Sequence, residues 1–383
     1  MKYFLYHDLI IAGNWCNLKC SYCTSVADAD DFGIETSASR RGKGASIAVA
    51  DVLAMLDGLA THVDAPVIKV SGGELFLLAN ATELIDELAR RYAHVQVLTN
   101  GTELDAATVR RIAALGNVSF NLSLDGHAPQ MNAMRWRSAR IGERVMAAFA
   151  AMVAQGTVLE ITSVISDANA AAFPAFLEFL RKQPCRIIVV PIPVRGVHAA
   201  SLFAPASRAG FAAALPGIAR DYREVLGPPA YYHALADFLA VDQGRRRARC
   251  HLAKAAVQIF DTGAVTPCPV GWTLEIGNLK RDGVVAVAGQ IGTHKMYELL
   301  TRDRPRVPVC RTCFSQADIL NLYLDGAIGL DDIAMMPLYH SAAARRRLVA
   351  LRGAISRPAA SMVSQLGSSE ISSRSARAGG SSN

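Results

Sequence analysis

The sequence of 383 residues is short of the features that mark several large classes of protein. No uncharged apolar run approaches the roughly 18 residues that read as a spanning helix, so no membrane partner is expected. Charged residues make up only 19% and aromatics 7%, and the net charge of +7 is modest for this length. The densest basic run, 245-RRRARC-250, has no aromatic neighbour on which a base would stack. It reads as a solvated helix end, and nucleic acid is not expected as a partner. No internal repeat is visible. The opening MKYFLYHDLIIAG lacks a small-residue cleavage signature and reads as a first strand, not a signal peptide. The expected location is therefore cytoplasmic, where the eight cysteines do not read as disulfides.

Apolar residues, by contrast, reach 51%, enough for a large core. Short apolar runs at 5–12, 67–71, 95–99, 118–124, 158–165 and 186–193 predict strands. Between them, 46–62, 81–92, 105–115, 141–156 and 170–182 carry apolar residues at helical spacing. The alternation predicts an α/β fold of parallel strands with crossover helices, either a partial barrel or an open sheet. Functional residues in such folds gather at the carboxyl ends of strands. Residues 197–245 read as a helical linker. A smaller unit spans 246–313, with a hairpin over 256–268 turning at Thr262-Gly263. A helical region covers 314–355, and the Ser/Gly/Arg-rich tail 356–383 reads as disordered.

Cysteine placement carries the chemistry. Cys16, Cys20 and Cys23 follow the first predicted strand as C-x3-C-x2-C. A structural zinc takes four closed ligands, and a [4Fe–4S] cube has four irons to ligate. Three thiolates leave one iron open to a small chelating molecule. One βα unit later, the second strand ends in 71-SGGE-74. Gly72 and Gly73 suit close backbone approach to a ligand.

These motifs resemble the radical S-adenosylmethionine (SAM) enzymes. The resemblance implies a partial (βα)6 barrel over 1–196 and a [4Fe–4S] cluster on Cys16, Cys20 and Cys23. SAM would chelate the open iron, and cleavage would give a 5′-deoxyadenosyl radical that abstracts a substrate hydrogen. It further implies that Glu74 or the carbonyls beside it meet the methionine ammonium. Asn100, in 99-TNG-101, ends the third strand. In 122-LSLDG-126, Ser123 would approach the SAM ribose or carboxylate, and Asp125 would shape the loop or touch substrate. Arg135 or Arg137 offers a forked donor to the SAM carboxylate. The stretch 189-VVPIP-193 would supply contacts to adenine.

Cys250, Cys268, Cys310 and Cys313 form a second group, for which zinc and iron–sulfur are equally open on spacing alone. Beside the first cluster, C-x12-G-x4-C followed by C-x2-C resembles the twitch auxiliary domain. That resemblance implies a second [4Fe–4S] cluster, ligated wholly by protein and acting in electron transfer.

The expected reaction is a two-electron oxidation of a small-molecule or peptide substrate in natural-product biosynthesis. The auxiliary cluster would accept an electron, and a flavodoxin- or ferredoxin-like protein would supply the reducing electron. A twitch-type alcohol dehydrogenase of aminoglycoside biosynthesis offers the nearest spacing. The alternatives are maturation of a ribosomal peptide, by crosslinking or epimerisation, and a zinc-stabilised binding protein without catalysis. The start of the first strand close to Met1 reads against a preceding leader-binding domain. Cys185, the remaining thiol, reads as a core residue. His127, His198, His233 and Arg195 lie in loops where a base would sit, and none is singled out.

Overall fold

The structure, a computed structural model, describes residues 1–11, 15–23, 44–194, 199–241, 246, 249–268, 274–302 and 307–356. Arg195, His198 and the predicted tail from 357 onward lie outside the described residues.

The six predicted strands form as β1 (Tyr6–Ile11), β2 (Val67–Gly72), β3 (His94–Thr99), β4 (Val118–Ser123), β5 (Leu159–Ile165) and β6 (Ile187–Pro193). Each pairs in parallel with the next. The crossover helices are α1 (Val49–Ala60), α2 (Ala81–Arg91), α3 (Ala106–Ala113), α4 (Ala139–Val153) and α5 (Phe173–Arg181). Helix α3 starts where the Asp105 carboxylate accepts the Thr108 N–H, and α4 where the Ser138 hydroxyl accepts that of Ile141. Both are side-chain N-caps, worth about 1 kcal/mol each.

The predicted hairpin forms as β7 (Ala256–Phe260) and β8 (Ala264–Thr266), with Gly263 at φ 94° in the turn. A short β9 (Gly277–Asn278) follows, and no sequence signal marked it. These strands do not stand apart from the barrel. β7 lies parallel to β1, pairing Tyr6 with Ala256 and Ile10 with Phe260. The sheet therefore runs β9-β8-β7-β1-β2-β3-β4-β5-β6. Its first strand is an interior one, buried at every residue, as strands covered on both faces are.

The two faces differ. One face is apolar and packs on the helices, with Leu9, Val70, Val97, Leu122 and Ile161 fully buried. Burying such a side chain contributes about 1.5–3 kcal/mol. The other face carries a polar row, in which Gln258, Asp8, Lys69 and Gln96 stand side by side across β7, β1, β2 and β3. Lys69 pairs with Asp8 at 2.9 Å. The buried Glu160 carboxylate accepts from Gln96 Nε2 at 2.9 Å and Asn121 Nδ2 at 2.8 Å. Gln316, just before the helix Ala317–Leu324, reaches into this lumen and accepts from Thr162 Oγ1 at 2.9 Å. Among the described residues no helix is long and apolar enough to cross a membrane.

Gly72 is required by packing between strands. Its φ is 148°, and a Cβ there would lie 1.8 Å from the Ile11 carbonyl oxygen. Gly116, at φ 75°, has open space around the same position. Gly72→Ala should therefore lower stability by about 3 kcal/mol or more, and Gly116→Ala by about 1 kcal/mol. Thermal melting of the two variants, without added metal, checks the order.

Burial pushes the Glu160 carboxyl up to about 7 from its ordinary 4.5, against the opposing pull of Gln96 and Lys69. The native state thus keeps a proton that the unfolded chain releases. The stability this group confers is whole below pH 4.5 and falls as pH rises toward 7. Glu160→Gln should flatten that part of a melting-temperature profile recorded between pH 4.5 and 7.5.

Candidate SAM and iron–sulfur site

Cys16, Cys20 and Cys23 lie beyond the carboxyl end of β1, half-buried. Three neighbouring strand ends hold their loop. From β2, the Glu74 N–H donates to the Trp15 carbonyl at 2.9 Å. From β3, Asn100 Nδ2 donates to Asn17 Oδ1 at 3.1 Å, and Asn17 Nδ2 donates to Thr102 Oγ1 at 2.7 Å. From the loop after β4, the Met134 carbonyl accepts the Ser21 N–H at 3.1 Å. Arg137 donates to the Lys19 carbonyl at 3.0 Å.

The thiols stand close enough that charge on Cys20 or Cys23 raises the pKa of Cys16. Burial is the larger cause and pushes Cys16 up to about 12. Burial also raises Cys20, opposed by the nearby Arg135 guanidinium. The Leu18 N–H points at Cys16 Sγ from 3.4 Å and Asn100 Nδ2 from 3.5 Å. Half-buried thiols with amide donors aimed at sulfur are a donor set that suits an iron–sulfur cluster, whose ligands must ionise on binding.

The other candidates fall into place around this loop. Glu74 is fully buried, and its carboxylate accepts from Thr99 Oγ1 at 2.8 Å, the Asn100 N–H at 2.7 Å and the Phe76 N–H at 3.2 Å. It ties β2 to β3. Asp125 is equally buried. Its carboxylate accepts the Tyr22 hydroxyl, Arg135 Nε at 2.8 Å and the Val164 N–H at 2.8 Å. Arg135 also lies 5.2 Å from the Tyr22 ring centroid, a cation–π contact. Asp125 therefore shapes the loop, and Arg135 is committed to it through Nε. Ser123 ends β4 half-buried, beside this group. Sequence reasoning missed Asn17 and Tyr22, for which no spacing rule exists.

Several other side chains stand elsewhere. His127 stacks on Phe179 with ring centroids 5.0 Å apart, and His233 is exposed on its helix. Cys185 precedes β6, so it lies at the opposite rim of the sheet from the thiol trio.

Cys250, Cys268, Cys310 and Cys313 line a single cavity together with Leu252, Ala253 and Leu300. Among the described residues no three His, Cys, Asp or Glu side chains gather around one point as they would for a single ion. A cavity walled by four thiols, by apolar side chains and by the buried Arg246 and Asp318 suits a larger, many-atom group. Burial raises Cys250, against the pull of Arg246, and pushes Cys310 up to about 11.

Removing Asp125 would leave Arg135 buried and unpaired. Asp125→Ala should cost about 3–5 kcal/mol, as breaking a buried ion pair does. Tyr22→Phe, which deletes one hydrogen bond, should cost about 1 kcal/mol. Denaturant midpoints of the metal-free proteins check both.

Comparison with known proteins adds to the geometry. Residues 10–180 match the family model described as the Radical SAM superfamily. GTP 3′,8-cyclase of Syntrophomonas wolfei is 27% identical over 175 residues, which is 45% of this chain and 50% of that protein. Sporulation killing factor maturation protein SkfB of Bacillus subtilis is 26% identical over 172 residues, 42% of this chain and 39% of that protein. The chain spans half or less of the length of the curated relatives it matches. The structure of native anSMEcpe with bound AdoMet and Kp18Cys peptide has the same fold. It superimposes with a TM-score of 0.55 at 16% identity, covering 77% of this chain and 82% of that one. That superfamily uses SAM and a [4Fe–4S] cluster. The matched segment contains the thiol trio and the strands that clamp it, and over that segment the chain is similar to the Radical SAM superfamily.

Proposed function

We propose that this chain is a radical SAM oxidoreductase that removes two hydrogens from a peptide substrate. In this reading Cys16, Cys20 and Cys23 hold the SAM-binding cluster, and Cys250, Cys268, Cys310 and Cys313 hold a second one in a twitch-type unit. A cluster held by Cys16, Cys20 and Cys23 would supply the electron that splits SAM into methionine and a 5′-deoxyadenosyl radical, which would take one substrate hydrogen; a cluster held by Cys250, Cys268, Cys310 and Cys313 would accept the electron released as the second hydrogen leaves as a proton. A flavodoxin- or ferredoxin-like protein supplies the first electron.

The observation that carries the reading is the wall shared by the lumen and the four-thiol cavity. Gln316, three residues after Cys313, bonds Thr162 inside the lumen. Thr266, two residues before Cys268, donates to Gln258 Oε1 at 2.7 Å, and Gln258 stands beside Asp8 in the polar row. An electron acceptor seated in that cavity would adjoin a substrate held in the lumen. The residues nearest the trio then have distinct tasks. Asn100 directs an N–H at Cys16 Sγ. Glu74 and Asp125 fix the rim, so that the backbone at Gly72 and Gly73, Ser123 and the outer N–H groups of Arg135 face SAM.

The peptide substrate is supported by the relatives: SkfB is named for maturation of a killing factor, and the anSMEcpe structure holds a peptide. Epimerisation needs a hydrogen donor opposite the radical source, and Cys185 lies at the far rim. Loss of two hydrogens, as a desaturation or a crosslink, is therefore preferred.

Anaerobically reconstituted protein should hold about eight irons, four per cube, and Cys250→Ala with Cys268→Ala should hold about four. Given SAM, dithionite and a library of short peptides, it should release 5′-deoxyadenosine and a product lighter by two hydrogens. Unchanged mass with an inverted α-carbon would overturn the oxidation, and turnover of cyclitols alone would overturn the peptide.

A further inference from the structure

The four-cysteine cavity contains a charged pair that no motif announces. Arg246 and Asp318 are both almost wholly buried, with 4% and 6% of their side chains exposed. They form a forked pair, one arm of which is Arg246 Nη1 to Asp318 Oδ2 at 3.2 Å. Both residues line the cavity beside the thiols. A buried ion pair is costly to desolvate and adds little to stability by itself, so its position among four thiols calls for another role.

Its contacts point to one. Arg246 Nη1 donates to the Cys313 carbonyl at 3.1 Å and Nη2 to the Arg249 carbonyl, next to Cys250, at 3.1 Å. The Arg246 N–H donates to the Arg311 carbonyl, one residue past Cys310, at 2.6 Å. One residue thus joins the segments bearing three of the four thiols. Asp318 accepts the Ser315 N–H at 2.9 Å and Asn321 Nδ2 at 2.9 Å, which fixes the segment after Cys313. Asn321 Nδ2 also lies 3.8 Å from Cys250 Sγ. The two charges are held in place and cannot rotate away from whatever the thiols bind.

We propose that Arg246 and Asp318 are positioning residues that set the reduction potential of the auxiliary cluster with opposite signs, an inference that rests on the cluster assignment above. A reduced cluster carries one more negative charge than an oxidised one. Arg246 stabilises the reduced state, and Asp318 opposes it. In a site this dry, neither charge is screened as it would be in water.

The test uses the full-length chain with Cys16, Cys20 and Cys23 changed to Ala, so that only the auxiliary site remains. After anaerobic reconstitution it should hold about four irons. Its midpoint potential is then read by EPR-monitored redox titration. Arg246→Gln should lower the potential, with the reduced fraction ratio falling tenfold at fixed poise, a shift of about 59 mV for a one-electron couple. Asp318→Asn should raise it by a similar shift. Arg246→Lys, which keeps the charge and loses the fork, should restore most of the wild-type value. Should Arg246→Gln bind no iron, the upward shift in Asp318→Asn decides alone. Shifts of the same sign, or none, at normal iron content would overturn the proposal and leave the cluster assignment standing. Absence of iron from the parent protein would overturn the assignment itself.

Discussion

A single buried carboxylate, Asp125, governs the rim of this barrel. It is the point where the cysteine loop, the loop after β4 and the body of β5 meet, through Tyr22, Arg135 and the Val164 N–H respectively. Its own backbone is held as well, since its N–H donates to Asn132 Oδ1 at 3.0 Å and its carbonyl accepts Asn169 Nδ2 at 3.0 Å. A charge this deep is tolerable only when it is fully hydrogen-bonded and paired. Glu74 acts in the same way between the preceding strands, joining the end of β2 to that of β3. Two acids therefore fix the geometry of the thiol loop without touching sulfur.

This division of labour separates what was legible in the sequence from what was not. The strands were legible because Val, Ile and Leu recur in short runs, and the helices because their apolar residues keep helical spacing. The cysteines were legible because thiol spacing has few physical meanings. Glu74 was also singled out, with the carbonyls beside it, for the methionine ammonium, and Asp125 for shaping its loop or touching substrate. Their partners lie far off in the chain: Glu74 meets Thr99 and Asn100, 25 and 26 positions away, and Asp125 meets Val164 and Tyr22, 39 and 103 positions away, pairings no local pattern records. Asn17, Tyr22 and Asp318 escaped notice for the same reason, and Arg246, read within 245-RRRARC-250 as part of a solvated helix end, is instead buried against Asp318. Their importance is a property of long-range contact, and as single residues they look like ordinary polar positions.

The second unit illustrates the limit differently. The hairpin and its turn were readable from Thr262-Gly263, yet the sequence held no hint that β7 would dock in parallel against β1. Only the pairing itself shows that β1 has two neighbours, β2 and β7. The pairing brings the four-thiol cavity against the lumen wall, where Thr266 and Gln258 adjoin the polar row of Asp8 and Lys69.

That same docking has a consequence for biosynthesis. The ribosome makes β1 some 250 positions before the strand that completes its second edge. Until then one side of a strand destined for full burial has unsatisfied backbone groups, the kind of exposed edge that recruits stray chains. Closure across so long a loop is entropically slow. The nascent chain would thus have its N-terminal thiols in place long before the sheet beside them is sealed, an interval in which shielding by a chaperone would matter most.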